Sequence, residues 1–160
     1  MAYDHVDPRH ADRHDQGDPS MSKDSYHDYL KQVPLFADLD KAELDRVAQA
    51  ATDLDLDAGN VLMREGTMAN EMVVLVEGSL EVTRDGQHVA DIGPGGFAGE
   101  MALLTHSHRN STVTTKTACS VLHIDGRAFN ALLAEVPEIA VKMLPVVASR
   151  VTANSDHHSD

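Results

Sequence analysis

The 160-residue chain has no tryptophan, three tyrosines, three phenylalanines and a single cysteine. The lone Cys119 rules out an internal disulfide framework and a cysteine-based zinc site. Its place in the mostly apolar run Ala118–Ile124 reads as an inert, buried thiol. Basic residues are scarce too: 13 Lys and Arg stand against 26 Asp and Glu, a formal charge of −13. Such a chain repels phosphate backbones, which argues against unaided binding to nucleic acid or to an anionic membrane surface. No apolar run approaches the roughly 18 residues of a spanning helix. The opening segment MAYDHVDPRHADRHD also lacks the basic-then-apolar order of a secretory signal. A soluble, cytoplasmic protein is the expectation.

What is present divides by composition. With 42% hydrophobic and 24% charged residues the chain is of globular type, sized for one domain with tails. Residues 1–22 carry Asp4, Asp7, Asp12, Asp15 and Asp18, with almost no large apolar side chain. That segment cannot bury enough surface to offset its ordering entropy, so it reads as a disordered acidic tail. Residues 154–160 read the same way, which leaves 23–153 as the domain. His5, His10 and His14, or His157 and His158, are weak metal ligands at most, and Met21 is an alternative start.

Within the domain the hydrophobic period changes twice. Asp40 with Glu43 three residues on predicts a capped helix with Leu44, Val47 and Ala48 inward, after a helical turn over Ser25–Lys31. From 52 to 124 the pattern is strand-like, with Val61, Met63, Val73, Leu75, Leu80, Val82, Val89, Ile92, Val113, Val121 and Ile124 in short runs. Eight of the ten glycines lie between Gly59 and Gly99. Asp85-Gly86 between two such runs predicts a tight hairpin. These signals predict a mainly β domain, an antiparallel roll or sandwich, with short N-terminal helices and two C-terminal ones. Asp125 is placed to cap a helix over Gly126–Glu135, and Pro137 opens a last helix to about Val151, kinked at Pro145.

Chemical content concentrates in Gly93-Pro-Gly-Gly-Phe-Ala-Gly-Glu-Met-Ala-Leu-Leu and the following Thr-His-Ser-His-Arg-Asn-Ser. Gly99 removes a side chain where a one-turn helix over Glu100–Leu104 begins, so free amides there would face an anion. Arg109, nine residues after Glu100, offers a fork suited to phosphate. Glu100 repels phosphate but accepts from a hydroxyl, as on a ribose. Together they describe a nucleotide with a singly charged phosphate; a plain surface ion pair between Glu100 and Arg109 is the alternative. There is no Gly-Lys-Ser/Thr for a P-loop, and no long helix after the glycines for a dinucleotide fold.

From about Tyr29 to Val151 the chain resembles the cyclic-nucleotide-binding domain family, the module of catabolite activator proteins and of cAMP-dependent kinase regulatory subunits. The resemblance rests on Val33-Pro-Leu-Phe-Ala-Asp-Leu, the turn Asn60–Gly66, Met72-Val-Val-Leu-Val-Glu-Gly-Ser-Leu-Glu-Val and the cassette with Arg nine residues after Glu. It implies a β-roll in which Gly99 and Ala102 give amides to the phosphate. It further implies that Glu100 holds the ribose hydroxyl, Arg109 pairs with the phosphate, and Asn110 and Ser111 add a polar contact. The ligand implied is cyclic AMP, with cyclic GMP second, and no cofactor. His108 and Asn110 depart from the family, which often has proline before the arginine and a small residue after it.

The function this implies is a non-enzymatic sensor acting through a protein effector, with Leu103, Leu104 and Phe129 as apolar hinge contacts; a homodimer is left open. Three alternatives compete with it. A regulator of Crp/Fnr type without its own DNA-binding domain shares the fold, and only nine residues follow Val151. A degenerate, ligand-free docking module is the second. A cupin-like metalloenzyme using His106, His108, Glu100 and His123 is the third, disfavoured because Arg109 would adjoin the cation. Direct DNA binding, membrane insertion and a catalytic triad are not expected.

Overall fold

The computed structural model describes residues 23–159. The expected tail over 1–22, with its histidines and Met21, lies outside the described residues. Helix α1 spans Lys23–Leu30, and a 3-10 turn follows at Pro34–Phe36. Helix α2, Lys41–Ala50, starts as predicted. The Asp40 carboxylate accepts from the Glu43 amide at 2.8 Å, and the Glu43 side chain accepts from the Asp40 amide at 3.0 Å. Each side chain satisfies an amide that a helix start otherwise leaves bare.

The eight strands are β1 Thr52–Leu56, β2 Val61–Met63, β3 Glu71–Glu77, β4 Leu80–Arg84, β5 Gln87–Ile92, β6 Phe97–Ala98, β7 Thr112–Thr115 and β8 Cys119–Asp125. They form two four-stranded antiparallel sheets, β1-β8-β3-β6 and β2-β7-β4-β5. This is the mainly antiparallel β-roll with flanking helices that the periodicity predicted. Asp85 and Gly86 take φ of 53° and 77° between β4 and β5, both in the left-handed region that this hairpin turn requires.

Helix α3, Glu100–Thr105, connects the sheets, and α4, Gly126–Glu135, is capped by Asp125 accepting from the Ala128 amide. The last helix, α5, runs Pro137–Ser159, past the predicted end near Val151 and through part of the expected tail. No glycine or proline after Pro145 stops it. Nor does Pro145 break it, although its missing amide leaves the Val141 carbonyl without the usual partner. The side chains of Asn154 onward, His157 and His158 included, lie outside the described residues.

Strand β3 is buried on both faces, which its continuous apolar run Met-Val-Val-Leu-Val demands. Met72, Val74 and Val76 face a core built with Leu30, Phe36, Leu44, Leu122, Phe129 and Met143 from the helices and β8. Val73 and Leu75 face a second core between the sheets, with Leu56, Leu80, Val113 and Val121. Each such side chain contributes about 1.5–3 kcal/mol on burial. Cys119 belongs to the second core and is buried. Leu103 packs against the helical core, but Leu104 is 44% exposed and so is no hinge contact; α3 is short, and its next side chain turns to solvent.

Gly78 sets the β3–β4 connection at φ +100°, and a Cβ there would collide with the Ala118 carbonyl and the Cys119 sulfur. Gly78→Ala is expected to lower unfolding stability by about 2–3 kcal/mol, since rigid backbone blocks relief of the strain. A urea midpoint that matches the parent would contradict this.

Candidate functional site

The cassette lies between the sheets and α5. Gly99 precedes α3 at φ +94°, and a Cβ there would land on Met63 Cε and Arg109 Nη1. Glycine is therefore required both by conformation and by the arginine that packs against it. Glu100, first in α3, is fully buried. Its Oε1 accepts from Arg150 Nη1 at 2.6 Å, while its Oε2 is buried with no hydrogen-bond partner. A buried carboxylate oxygen without a partner is costly, and a donor from a bound molecule is one way to complete it.

Arg109 enters from the loop before β7 and is 6% exposed. Its Nη1 donates to the Gly99 carbonyl at 2.8 Å. Its Nη2 donates to the Glu71 carbonyl and to Glu71 Oε1, the latter at 3.3 Å. Glu71 thus supplies the counter-charge that lets a guanidinium sit inside the fold. On β8, His123 stands opposite Val73, two residues from Glu71. Burial pushes its imidazole below the ordinary value, against the opposing pull of Glu71 and Asp125.

Gly99, Glu100, Arg109 and Arg150 line a pocket of about 320 Å³ that also takes in Met63, Val82 and Ala98 as an apolar wall, while Glu71 and His123 lie outside its lining. The six residues singled out by the sequence, Gly99, Glu100, Ala102, Arg109, Asn110 and Ser111, all reach this one pocket. Asn110 and Ser111 are also engaged by Arg84 of β4: its Nε donates to the Asn110 carbonyl and its Nη2 to Ser111 Oγ, both at 2.9 Å. The volume falls at the small-ligand end of natural sites, roughly 300–1,000 Å³. Three arginines, 84, 109 and 150, face it against the carboxylates of Asp91 and Glu100. The lining itself thus carries one more cation than carboxylates, with Glu71 behind it pairing with Arg109, in a chain of formal charge −13. A second hollow of about 310 Å³ is lined by Asp55, Asp57 and Glu77, which would repel an anion.

Sequence reasoning missed Glu71, Arg84 and Arg150. Arg150 comes from α5, with its guanidinium 4.9 Å over the Phe97 ring and its Nη2 donating to the Phe97 carbonyl at 2.7 Å. One cue existed in the sequence: Glu71 opens an apolar strand. The histidine pair of the metal reading does not assemble; among the described residues no group of three or more His, Cys, Asp or Glu is placed to hold an ion. No described helix is long and apolar enough to cross a membrane.

The family described as "Cyclic nucleotide-binding domain" matches residues 54–136. A cAMP-dependent protein kinase regulatory subunit from Schizosaccharomyces pombe is 32% identical over 109 residues, 68% of this chain and 26% of that protein. A cyclic nucleotide-gated potassium channel from Mesorhizobium japonicum is 37% identical over 108 residues, again 68% of this chain and 30% of the channel. The chain thus spans under a third of the length of these curated relatives. Among solved structures, the regulatory domain of Toxoplasma gondii protein kinase A, crystallised with cAMP, aligns with a TM-score of 0.65 at 25% identity. That alignment covers 77% of this chain and 49% of the other.

Proposed function

The chain belongs to the cyclic nucleotide-binding domain family, and on that premise we propose that it is a non-enzymatic sensor of cyclic AMP acting through a protein effector. One observation carries the reading: Glu100 Oε2 is buried without a partner in the pocket that Arg109 also lines. A ribose 2′-hydroxyl would donate to that oxygen, and a cyclic phosphate with its single charge would take up the Arg109 guanidinium. The amides of Gly99 and Ala102 would add donors to the phosphate. The purine would lie against the apolar wall under α5. Cyclic AMP is preferred to cyclic GMP because the S. pombe relative is cAMP-dependent and the T. gondii domain was crystallised with cAMP. A chain of −13 charge is poorly suited to meet DNA directly, which supports a protein effector.

Binding would act by population shift, limited by the ligand's differential affinity for two arrangements of α5. Isothermal titration with cyclic AMP, cyclic GMP and linear AMP tests the reading. Saturable binding of cyclic AMP, weaker cyclic GMP and no response to linear AMP are expected; no heat from either cyclic nucleotide would overturn it. A second reading, a ligand-free docking module, draws on the ion pairs Arg109–Glu71 and Arg150–Glu100, which already occupy much of the site's charge. That silent titration is the result it requires.

A further inference from the structure

We propose that the Met63 thioether is an oxidation site for hydroperoxides, and that its sulfoxide engages Arg109 and closes the pocket to a cyclic phosphate. This rests on the cyclic-nucleotide reading. In a regular strand neighbouring side chains point to opposite faces, yet Leu62 and Met63 both lie in the core between the sheets. A register shift between Val61 and Met63, where β2 pairs with β7, permits this. It brings Met63 against Gly99. The point that a Cβ on Gly99 would occupy lies 2.9 Å from Met63 Sδ, 2.5 Å from its Cε and 2.7 Å from Arg109 Nη1. Thioether and guanidinium therefore meet over one glycine.

A hydroperoxide transfers one oxygen to the sulfur lone pair. The O–O bond breaks and an S–O bond forms; the sulfide loses two electrons, and the peroxide leaves as water or an alcohol. An apolar side chain becomes a polar one with a strong acceptor, beside a cation. The new oxygen accepts from Arg109 and competes with a phosphate for it. Met63 is 4% exposed and borders the pocket. A water-sized oxidant thus reaches it through the empty pocket, and a seated nucleotide bars the way. Among the other described methionines, Met101 also borders the pocket. Met72 and Met143 are shut in the helical core, and Met68 is 63% exposed.

Hydrogen peroxide applied to the full chain, with and without saturating cyclic AMP, tests this, with peptide mass mapping to read oxygen at each methionine. In the empty protein Met63 should gain oxygen, and cyclic AMP affinity should fall by about tenfold or more, the worth of a lost bond to a charged group. Bound cyclic AMP should protect Met63 while Met68 oxidises as before. Met63→Leu has no sulfur to oxidise there, so its treated and untreated forms should agree within about twofold. Met101→Leu should show the full drop. Cys119 is retained in every variant, which controls for its thiol. Thermal unfolding of each treated protein separates a blocked pocket from a lost fold. Three results overturn the proposal and leave the sensor reading standing: an equal drop in Met63→Leu, a Met63 sulfoxide with unchanged affinity, or no oxygen at Met63 when Met101 carries it. An untreated parent that binds no cyclic nucleotide overturns both.

Discussion

Arg109→Ala is expected to weaken cyclic AMP binding by about a hundredfold or more, since two charge-assisted bonds to a phosphate are worth roughly 3 kcal/mol. The same change strips Glu71 of its cation. Glu71 is 8% exposed, so its carboxylate would be left uncompensated and the fold would lose stability as well. The two effects separate with Arg109→Lys, which keeps a charge near Glu71 but cannot present a planar fork. It should unfold nearer to the parent while binding poorly. Titration on protein shown to be folded by circular dichroism is the measurement. Affinity within about threefold of the parent in Arg109→Ala would remove the phosphate from this arginine.

Glu100→Gln carries the second large effect. The side chains have nearly the same shape, so the change exchanges a buried carboxylate for an amide with little repacking. Arg150 then loses its ion-pair partner at 2.6 Å, and the ribose hydroxyl loses a charged acceptor. Cyclic AMP affinity should drop by about ten- to fiftyfold, the worth of one or two bonds to a charged group. Comparison with 2′-deoxy cyclic AMP assigns the loss. The parent should bind the deoxy ligand about tenfold more weakly, and the variant should barely distinguish the two, because the hydroxyl and Oε2 act as one pair. An equal deoxy penalty in both proteins would place the ribose elsewhere.

The sequence made the locally determined parts legible. Asp40 and Asp125 cap their helices because a carboxylate three residues before an amide needs no distant partner. The Asp85-Gly86 hairpin and the helix start at Gly99 follow from local conformation in the same way. All six predicted contact residues lie in one pocket because the cassette is nearly contiguous. Glu71, Arg84 and Arg150 escaped notice because their roles depend on pairings 38, 27 and 50 residues away in the chain. Such contacts are set by sheet register and by how α5 crosses the roll, which no short window encodes. The end of α5 was misplaced for a different reason. A polar composition by itself reads as disorder, although Thr152 to Ser159 contain no glycine or proline to stop a helix already begun.

Pro145 divides α5 into halves with different attachments. Before it, Ile139 and Met143 are locked in the core, and Lys142 is tied to the Pro34 carbonyl and to Asp38. After it, Val147 packs against the helical core, Ser149, Arg150 and Ala153 border the pocket, and Arg150 grips Glu100 and Phe97. The backbone hydrogen bond that would stiffen the joint, from residue 145 to Val141, cannot form. A cyclic nucleotide bound as proposed would then leave by release of one guanidinium from the distal half, with the proximal half keeping its seat and no helix melted.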